Sequence, residues 1–257
     1  MDDFRFRGRH VSEFGAVAAF GDSMRYGGKV RRGEYALPGG GSALIGEDEW
    51  QPTSRSVVLM PADGIEADGS WRRALCGWLQ SGRGEMIVDN DPDVMLIASF
   101  DADGTFEHRN WPAGSLVLNM TIQPLAYGVL ETQNTVHATV GSEIAASMDI
   151  ESAMPVPLRI LVKPTSGTIT RARFAIGAAV LDLPNLSLKN GQILEYDAGS
   201  FLGDAANLSV DGVTDFSPAQ GGRWARLEMD PASGAVGILI EGGAADITIS
   251  ARGRWPA

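Results

Sequence analysis

Cysteine is almost missing. Cys76 stands alone in 257 residues, so no internal disulfide can form and no thiol pair exists for a zinc site. Histidine is nearly as scarce: His10, His108 and His137 are the three present. None has a second histidine, a cysteine or a clear carboxylate partner at metal-ligand spacing. No apolar run approaches the ~20 residues of a membrane helix. The opening Met1-Asp2-Asp3-Phe4-Arg5 has no apolar segment that would read as a secretory signal. The expectation is a chain made in a cytoplasm, soluble there, with no membrane insertion. Positive charge is also in deficit, with 21 basic against 32 acidic residues and a net of −11. Residues 1–131 hold 12 basic and 19 acidic side chains, and 132–257 hold 9 and 13, so both halves are acidic. Such a surface repels nucleic acid phosphate and anionic lipid unless a local patch overrides it. The densest basic run, Arg25, Lys29, Arg31 and Arg32, sits beside Glu34 and reads as a charged hairpin.

What is abundant is glycine, with 32 residues, alongside 13 prolines and 44% hydrophobic residues. That combination excludes wholesale disorder and suits short strands joined by tight turns. Phe4-Arg5-Phe6-Arg7 alternates as a strand with one wet face. Residues 24–55, punctuated by Gly27-Gly28, Gly33 and Pro38-Gly39-Gly40-Gly41, predict a long two-stranded arm. Its faces are poorly apolar, so it needs a partner surface in its own chain or in a neighbour. A helix is expected over 71–80, capped by Ser70, because Trp71, Leu75, Trp78 and Leu79 fall on one face. Further strands are expected at 85–88, 94–100 and 105–109, the last two forming a hairpin around Asp103-Gly104. A domain boundary is placed near residue 131. Beyond it, turns at Asn190-Gly191 and Asp211-Gly212 separate eight to ten short strands, the grammar of a β-sandwich or jelly roll.

Reactive constellations are hard to find. Asp89, Asp91 and Asp93 alternate like a calcium loop, but Pro92 interrupts them and neither the glycine nor the closing glutamate is in place. Asp101, Asp103 and Glu107 are explained by a turn. Ser42 lacks the strand-turn-helix setting of a nucleophile elbow, and the glycine run opens no helix and lacks the lysine of a phosphate loop. Cys76 flanks the helix stripe as a packed thiol. Asn207-Leu208-Ser209 fits a glycosylation triplet, which carries no weight without an export signal. Trp50, Trp111, Trp224 and Trp255 are core or strand-end packing, or a carbohydrate platform or subunit contact if exposed. The residues therefore nominate no catalytic, no cofactor-binding and no metal site, and the expectation is not an enzyme. A carbohydrate-binding module recognising a host-surface glycan is the alternative. A glycan-degrading enzyme, which needs paired carboxylates in a cleft, comes after it.

The first half resembles the N-terminal domain of the distal tail proteins of siphophages. The resemblance rests on Phe4-Arg5-Phe6-Arg7-Gly8-Arg9 followed by Ser12-Glu13-Phe14-Gly15, and on Leu37-Pro38-Gly39 within a charged arm. It rests above all on Trp78-Leu79-Gln80-Ser81-Gly82-Arg83-Gly84, Asp89-Asn90-Asp91-Pro92-Asp93 and the strand from Val94 to Ser99. It covers residues 4–125; the Gly39-Gly40-Gly41 run departs from the family's more polar arm tip. The resemblance implies a mainly β chain of two domains. Residues 1–131 would be a β-sandwich or split barrel with one packed helix and a protruding hairpin arm at 24–55. Residues 132–257 would be a galectin-like β-sandwich, its last strand at Ile249 to Trp255. It further implies a structural virion protein of a phage tail or of a phage-like gene transfer particle, synthesised in a host bacterial cytoplasm and located at the distal tail end. The implied partners are other copies in a homo-oligomer, a hexameric ring wrapped by the arm, the tail tube protein, and a tail hub or tape-measure protein. Receptor-binding or fibre proteins and a surface glycan are the implied outer partners. DNA would pass through the bore without specific binding, past acidic groups that keep it from sticking.

Overall fold

The computed structural model describes residues 3–20, 29–36, 42–101, 105–107, 114–199, 205–231 and 234–257. The chain is mainly β, with one packed α-helix, and divides into two compact units: residues 1–129 with 255–257, and residues 130–254. Trp255 to Ala257, expected at the end of the second domain, thus belong to the first unit. The strand Arg254–Pro256 pairs with a strand of that unit, and the Ala257 N–H donates to Pro124 O at 2.9 Å.

In the first unit the strands are β1 (Phe4–Phe6), β2 (Arg9–His10), β3 (Ala16–Phe20), β4 (Lys29–Ala36), β5 (Ser42–Gln51) and β6 (Thr53–Pro61). After helix α1 (Gly69–Leu79) come β7 (Gly84–Val88), β8 (Asp91–Phe100), β9 (Thr105–Glu107) and β10 (Ser115–Gly128). The sheet runs β2-β1-β7-β8-β10-β6-β3 and curls until its two ends meet. Phe4 of β1 lies 6.0 Å, ring to ring, from Phe20 of β3, and the Ala18 N–H donates to Asp3 Oδ1 at 2.8 Å. Side chains, not a ladder, close this half-barrel. Trp71, Leu75, Trp78 and Leu79 of α1 are buried, as the stripe predicts. Trp78 stacks on Phe14 at 4.4 Å and on Phe4 at 6.0 Å, and its indole N–H donates to Phe6 O at 3.1 Å. The helix starts earlier than expected. Its cap is Asp68, whose carboxylate accepts the Ser70 and Trp71 N–H groups, while Ser70 lies inside the first turn.

The register corrects one expected hairpin. Phe100 pairs with Met120, and Thr105 pairs with Val117. β8 and β9 therefore run in the same direction along β10 and do not pair with each other. Asp103-Gly104 itself lies outside the described residues. The real reversal is the two-residue turn Asp89-Asn90, across which Val88 pairs with Asp91, so Asp91-Pro92-Asp93 already belongs to the strand.

The second unit contains β11 (Thr132–Ala138), β12 (Glu143–Ser147), β13 (Val156–Pro157), β14 (Arg159–Ile176), β15 (Ala179–Leu183), β16 (Leu188–Lys189) and β17 (Leu194–Asp197). These are followed by β18 (Asn207–Val210), β19 (Val213–Thr214), β20 (Glu228–Met229) and β21 (Ala235–Ala251); β22 (Arg254–Pro256) closes the chain. Two long strands, β14 and β21, run through both layers. Residues 159–164 and 245–250 pair in a layer ordered β11-β21-β14-β17-β18-β19, and residues 171–175 and 237–241 pair in the layer completed by β12, β15 and β16. The fold over lies at Gly242-Gly243 opposite Gly167. There the inward residues change parity, from Val236, Ile238 and Ile240 to Ala245, Ile247 and Ile249. Gly167 and Gly242 have φ of +69° and +87°, a conformation that L side chains rarely adopt.

The same bend explains a second correction. The Asn190-Gly191 turn exists, but its flanks do not pair with each other: β16 joins β14 at Thr168-Ile169, and β17 joins β14 at Arg159–Val162. The Asp211-Gly212 turn is as expected, with both residues at positive φ and Val210 paired with Val213.

Candidate assembly surfaces

Phe20 of β3 pairs with Val57 of β6, the last pair of that ladder, and β4 and β5 pair only with one another among the described residues. The ribbon is in register from Lys29–Gln51 to Ala36–Ser42, with an irregularity between Arg31 and Gly33. At ~3.3 Å per residue, ten-residue β5 spans roughly 33 Å. Val30 and Trp50 face each other near its base and are half-buried. The expected tip, Leu37 to Gly41, lies outside the described residues. The arm is shorter than the expected 24–55 at its second end, because Thr53 already pairs with Ile122 in the main sheet.

The residues weighed as reactive groups are dispersed. Asp89 accepts from His10 Nε2 at 3.0 Å, and Asp91 and Asp93 continue into β8. His10 caps the short turn Val11–Phe14 together with Glu13, a local capping pattern that spacing alone did not single out. The His10 N–H and the Arg9 guanidinium hold the Glu13 carboxyl below its usual range. His137 lies in the other unit against Asp246 at 2.8 Å. His108, Trp111 and Asp103 lie outside the described residues. Cys76 is half-buried beside the helix stripe, and burial pushes its thiol up, away from the thiolate that would react. Asn207 opens β18 at the surface. Among the described residues no group of three or more His, Cys, Asp or Glu side chains converges to hold a metal ion, and no helix is long and apolar enough to cross a membrane.

One charged cluster joins strands of the second unit. Arg171 of β14 donates from Nε and Nη2 to the two oxygens of Asp182 on β15, each at 3.0 Å, and from Nη1 to Glu241 of β21 at 3.4 Å. It stitches three neighbouring strands, and its guanidinium holds the Asp182 carboxyl below its usual range. Among the tryptophans, Trp255 is half-buried on β22, whereas Trp224 is 41% exposed. Trp224 meets Phe216, itself 47% exposed, edge-on at 5.4 Å, and on its other contact meets Tyr196 edge-on at 5.5 Å. Tyr196 is fixed by its hydroxyl, which donates to Ala225 O at 2.8 Å and accepts the Leu227 N–H at 3.0 Å. Exposure of this aromatic corner was not readable from sequence.

No protein-family model matches the chain, and no curated protein matches it. Solved structures do. The Dit (gp 19.1) protein of phage SPP1, described as a paradigm of hub adsorption apparatus in Gram-positive infecting phages, aligns with a TM-score of 0.73 at 13% identity over 99% of each chain. A chain of the phage p2 baseplate in its activated conformation with Sr aligns at 0.53 and 10% identity, covering 97% of this chain and 98% of that one. A chain of the P2 baseplate in its activated conformation with Ca aligns at 0.50 and 7% identity, over 98% of each chain. With both units matched along their whole length, this chain has the fold of the SPP1 Dit protein.

Proposed function

We propose that the chain is a structural, non-catalytic virion protein that forms a ring at the distal end of a phage tail, joining the tail tube to the tip or adsorption apparatus. The observation that carries this reading is the end-to-end match to the SPP1 Dit protein across both units. The arm supports it independently: a ribbon paired only with itself among the described residues gains its missing surface by lying on a neighbouring copy. In this reading six copies close the ring, the tube and hub or tape-measure proteins contact its two rims, and DNA passes through a bore lined by acidic groups. Fibre or receptor-binding proteins dock outside. The exposed Trp224–Phe216 corner favours a second, compatible role for the outer unit in contacting a surface glycan.

The test is mass measurement of the 27.3 kDa chain purified and in the presence of its tail tube and hub partners. It is repeated with residues 24–52 replaced by a short glycine-serine turn joining β3 to β6. A six-fold species that forms with the arm and is lost without it is the expected result. A ring that persists unchanged without the arm, or antibody labelling of particles away from the distal tail, overturns the reading.

A further inference from the structure

The side-chain amide of an asparagine can be attacked by the nitrogen of the next peptide bond, and a glycine in that next place puts no Cβ in the way. Seven asparagines are present, and Asn190 alone precedes glycine. Its turn is closed at both ends: the Gln192 N–H donates to Lys189 O at 3.0 Å, and the Lys189 N–H donates to Gln192 Oε1 at 3.0 Å. The centre of the turn is open. Asn190 and Gly191 are both exposed, and neither the Asn190 side-chain amide nor the Gly191 N–H has a hydrogen bond among the described residues. A Cβ built at Gly191 meets nothing within 4 Å, and φ there is +91°. The flanks hold to β14 and not to each other, Lys189 at Thr168 and Leu194 at Val162, so no ladder across the turn resists rotation of the peptide plane between residues 190 and 191. The other asparagines are restrained. Asn134 and Asn185 donate their amides to Ser147 O and Gln220 O, and Asn119 and Asn207 lie in ladders. In the related Asp211-Gly212 turn the carboxylate is engaged, accepting the Ile193 N–H at 2.8 Å and Gln192 Nε2 at 3.2 Å.

We propose that Asn190 is a self-modification site, at which the chain converts its own asparagine to aspartate and isoaspartate with water as the co-reactant. The Gly191 nitrogen, on losing its proton, attacks Asn190 Cγ. The N–Cγ bond forms, the Cγ–Nδ2 bond breaks, and Nδ2 leaves as ammonia carrying the proton. Water then opens the resulting succinimide ring. Cleavage of the N–Cγ bond leaves aspartate in an ordinary chain. Cleavage between the residue 190 carbonyl carbon and the nitrogen leaves isoaspartate, whose main chain runs through Cγ and is one carbon longer. Nothing is oxidised or reduced. The added carbon falls in a turn whose two flanks are anchored independently on β14, so both layers keep their ladders. Each conversion makes the formal net charge of −11 one unit more negative and sets the new carboxylate in a turn that Gln192 ties to Asp211.

The test incubates the full chain in mildly alkaline buffer made with heavy-oxygen water and maps its peptides by mass. The peptide spanning residues 190 and 191 is expected to exchange an NH group for labelled oxygen and to split into two chromatographic forms, while the peptides carrying Asn134 and Asn185 stay unchanged. Asn190→Gln keeps the glycine and its backbone, so it retains the fold; its longer side chain would have to close a larger ring, and it is expected to show no conversion. Gly191→Ala puts a Cβ on the attacking residue and is expected to slow conversion at least about ten-fold. A folded chain that keeps asparagine at 190 while the same chain in denaturant converts overturns the proposal, since the fold then shields the site. Equal conversion of Asn134 or Asn185 overturns it too, as does a Gly191→Ala chain that converts as fast as the parent.

Discussion

Substituting Gly242 by alanine tests the folded-over ribbon directly. The new Cβ would stand 2.5 Å from Thr168 O and 2.7 Å from Thr170 Oγ1, at a residue whose φ is +87°. Holding a non-glycine residue in this sparsely populated region costs of order 1–3 kcal/mol. Forcing a methyl against a backbone oxygen in a packed interior adds about 1–3 kcal/mol. The neighbour is backbone, so it cannot swing away as a side-chain tip would, and a total of about 3 kcal/mol follows. For a unit of this size that lowers the melting midpoint of residues 130–254 by roughly 10 °C. The internal control is Gly77→Ala. Gly77 sits on the exposed face of α1 with nothing within 4 Å of the new Cβ, so alanine there is expected to stabilise by up to ~1 kcal/mol through helix propensity. Both variants are compared with the parent by calorimetry, with hydrogen exchange assigning each loss to its unit. A Gly242→Ala variant within about 0.5 kcal/mol of the parent would refute the account of the bend.

Other outcomes follow from single contacts. Trp78→Ala removes a ring packed against Phe4, Phe6 and Phe14 and is expected to cost ~3–5 kcal/mol, read by denaturant unfolding of the first unit. Asp182 is held below its ordinary range by Arg171, with a further pull from Arg173 and Arg223. Its contribution to stability is therefore present above the unfolded-state value near 4 and is lost as pH falls through the lower folded value. Midpoints measured on acidification should show Asp182→Asn less stable near neutrality and converging on the parent at the most acidic pH; a gap that widens on acidification contradicts the assignment. Trp224→Ala, by contrast, should change stability little because its ring is 41% exposed, while weakening binding of any glycan or subunit that uses the aromatic corner, as titration calorimetry would register.

The local grammar of the chain was readable wherever neighbours in sequence are neighbours in space. The α1 stripe is such a case, because residues three and four apart share a helix face, and Asp211-Gly212 is another, because both turn conformations belong to adjacent residues. Asp103-Gly104 misled for the opposite reason. The hairpin expectation rested on turn-forming residues alone, and which strand Thr105–Glu107 joins is decided by its long-range pairing with β10. Asn190-Gly191 turns as its residues demand, yet which strands it delivers is decided by the glycines of a distant bend. The arm showed itself as a weakly apolar ribbon, whereas the place of β11 at the end of its layer did not, since alternation reports which face of a strand is wet and says nothing about which strand lies last in a sheet. Exposure of Trp224 belongs to the same class, set by chain that arrives from elsewhere.

The second unit is threaded into the first: the chain leaves after Val129 and re-enters at Trp255, where β22 takes its place beside β10. A force applied to the second unit is thus divided between two covalent tethers, one running into β10 and the other into β22. This parallel suspension resists peeling better than a single linker. It also lets the second unit be exchanged as a cassette, cut after Val129 and before Trp255.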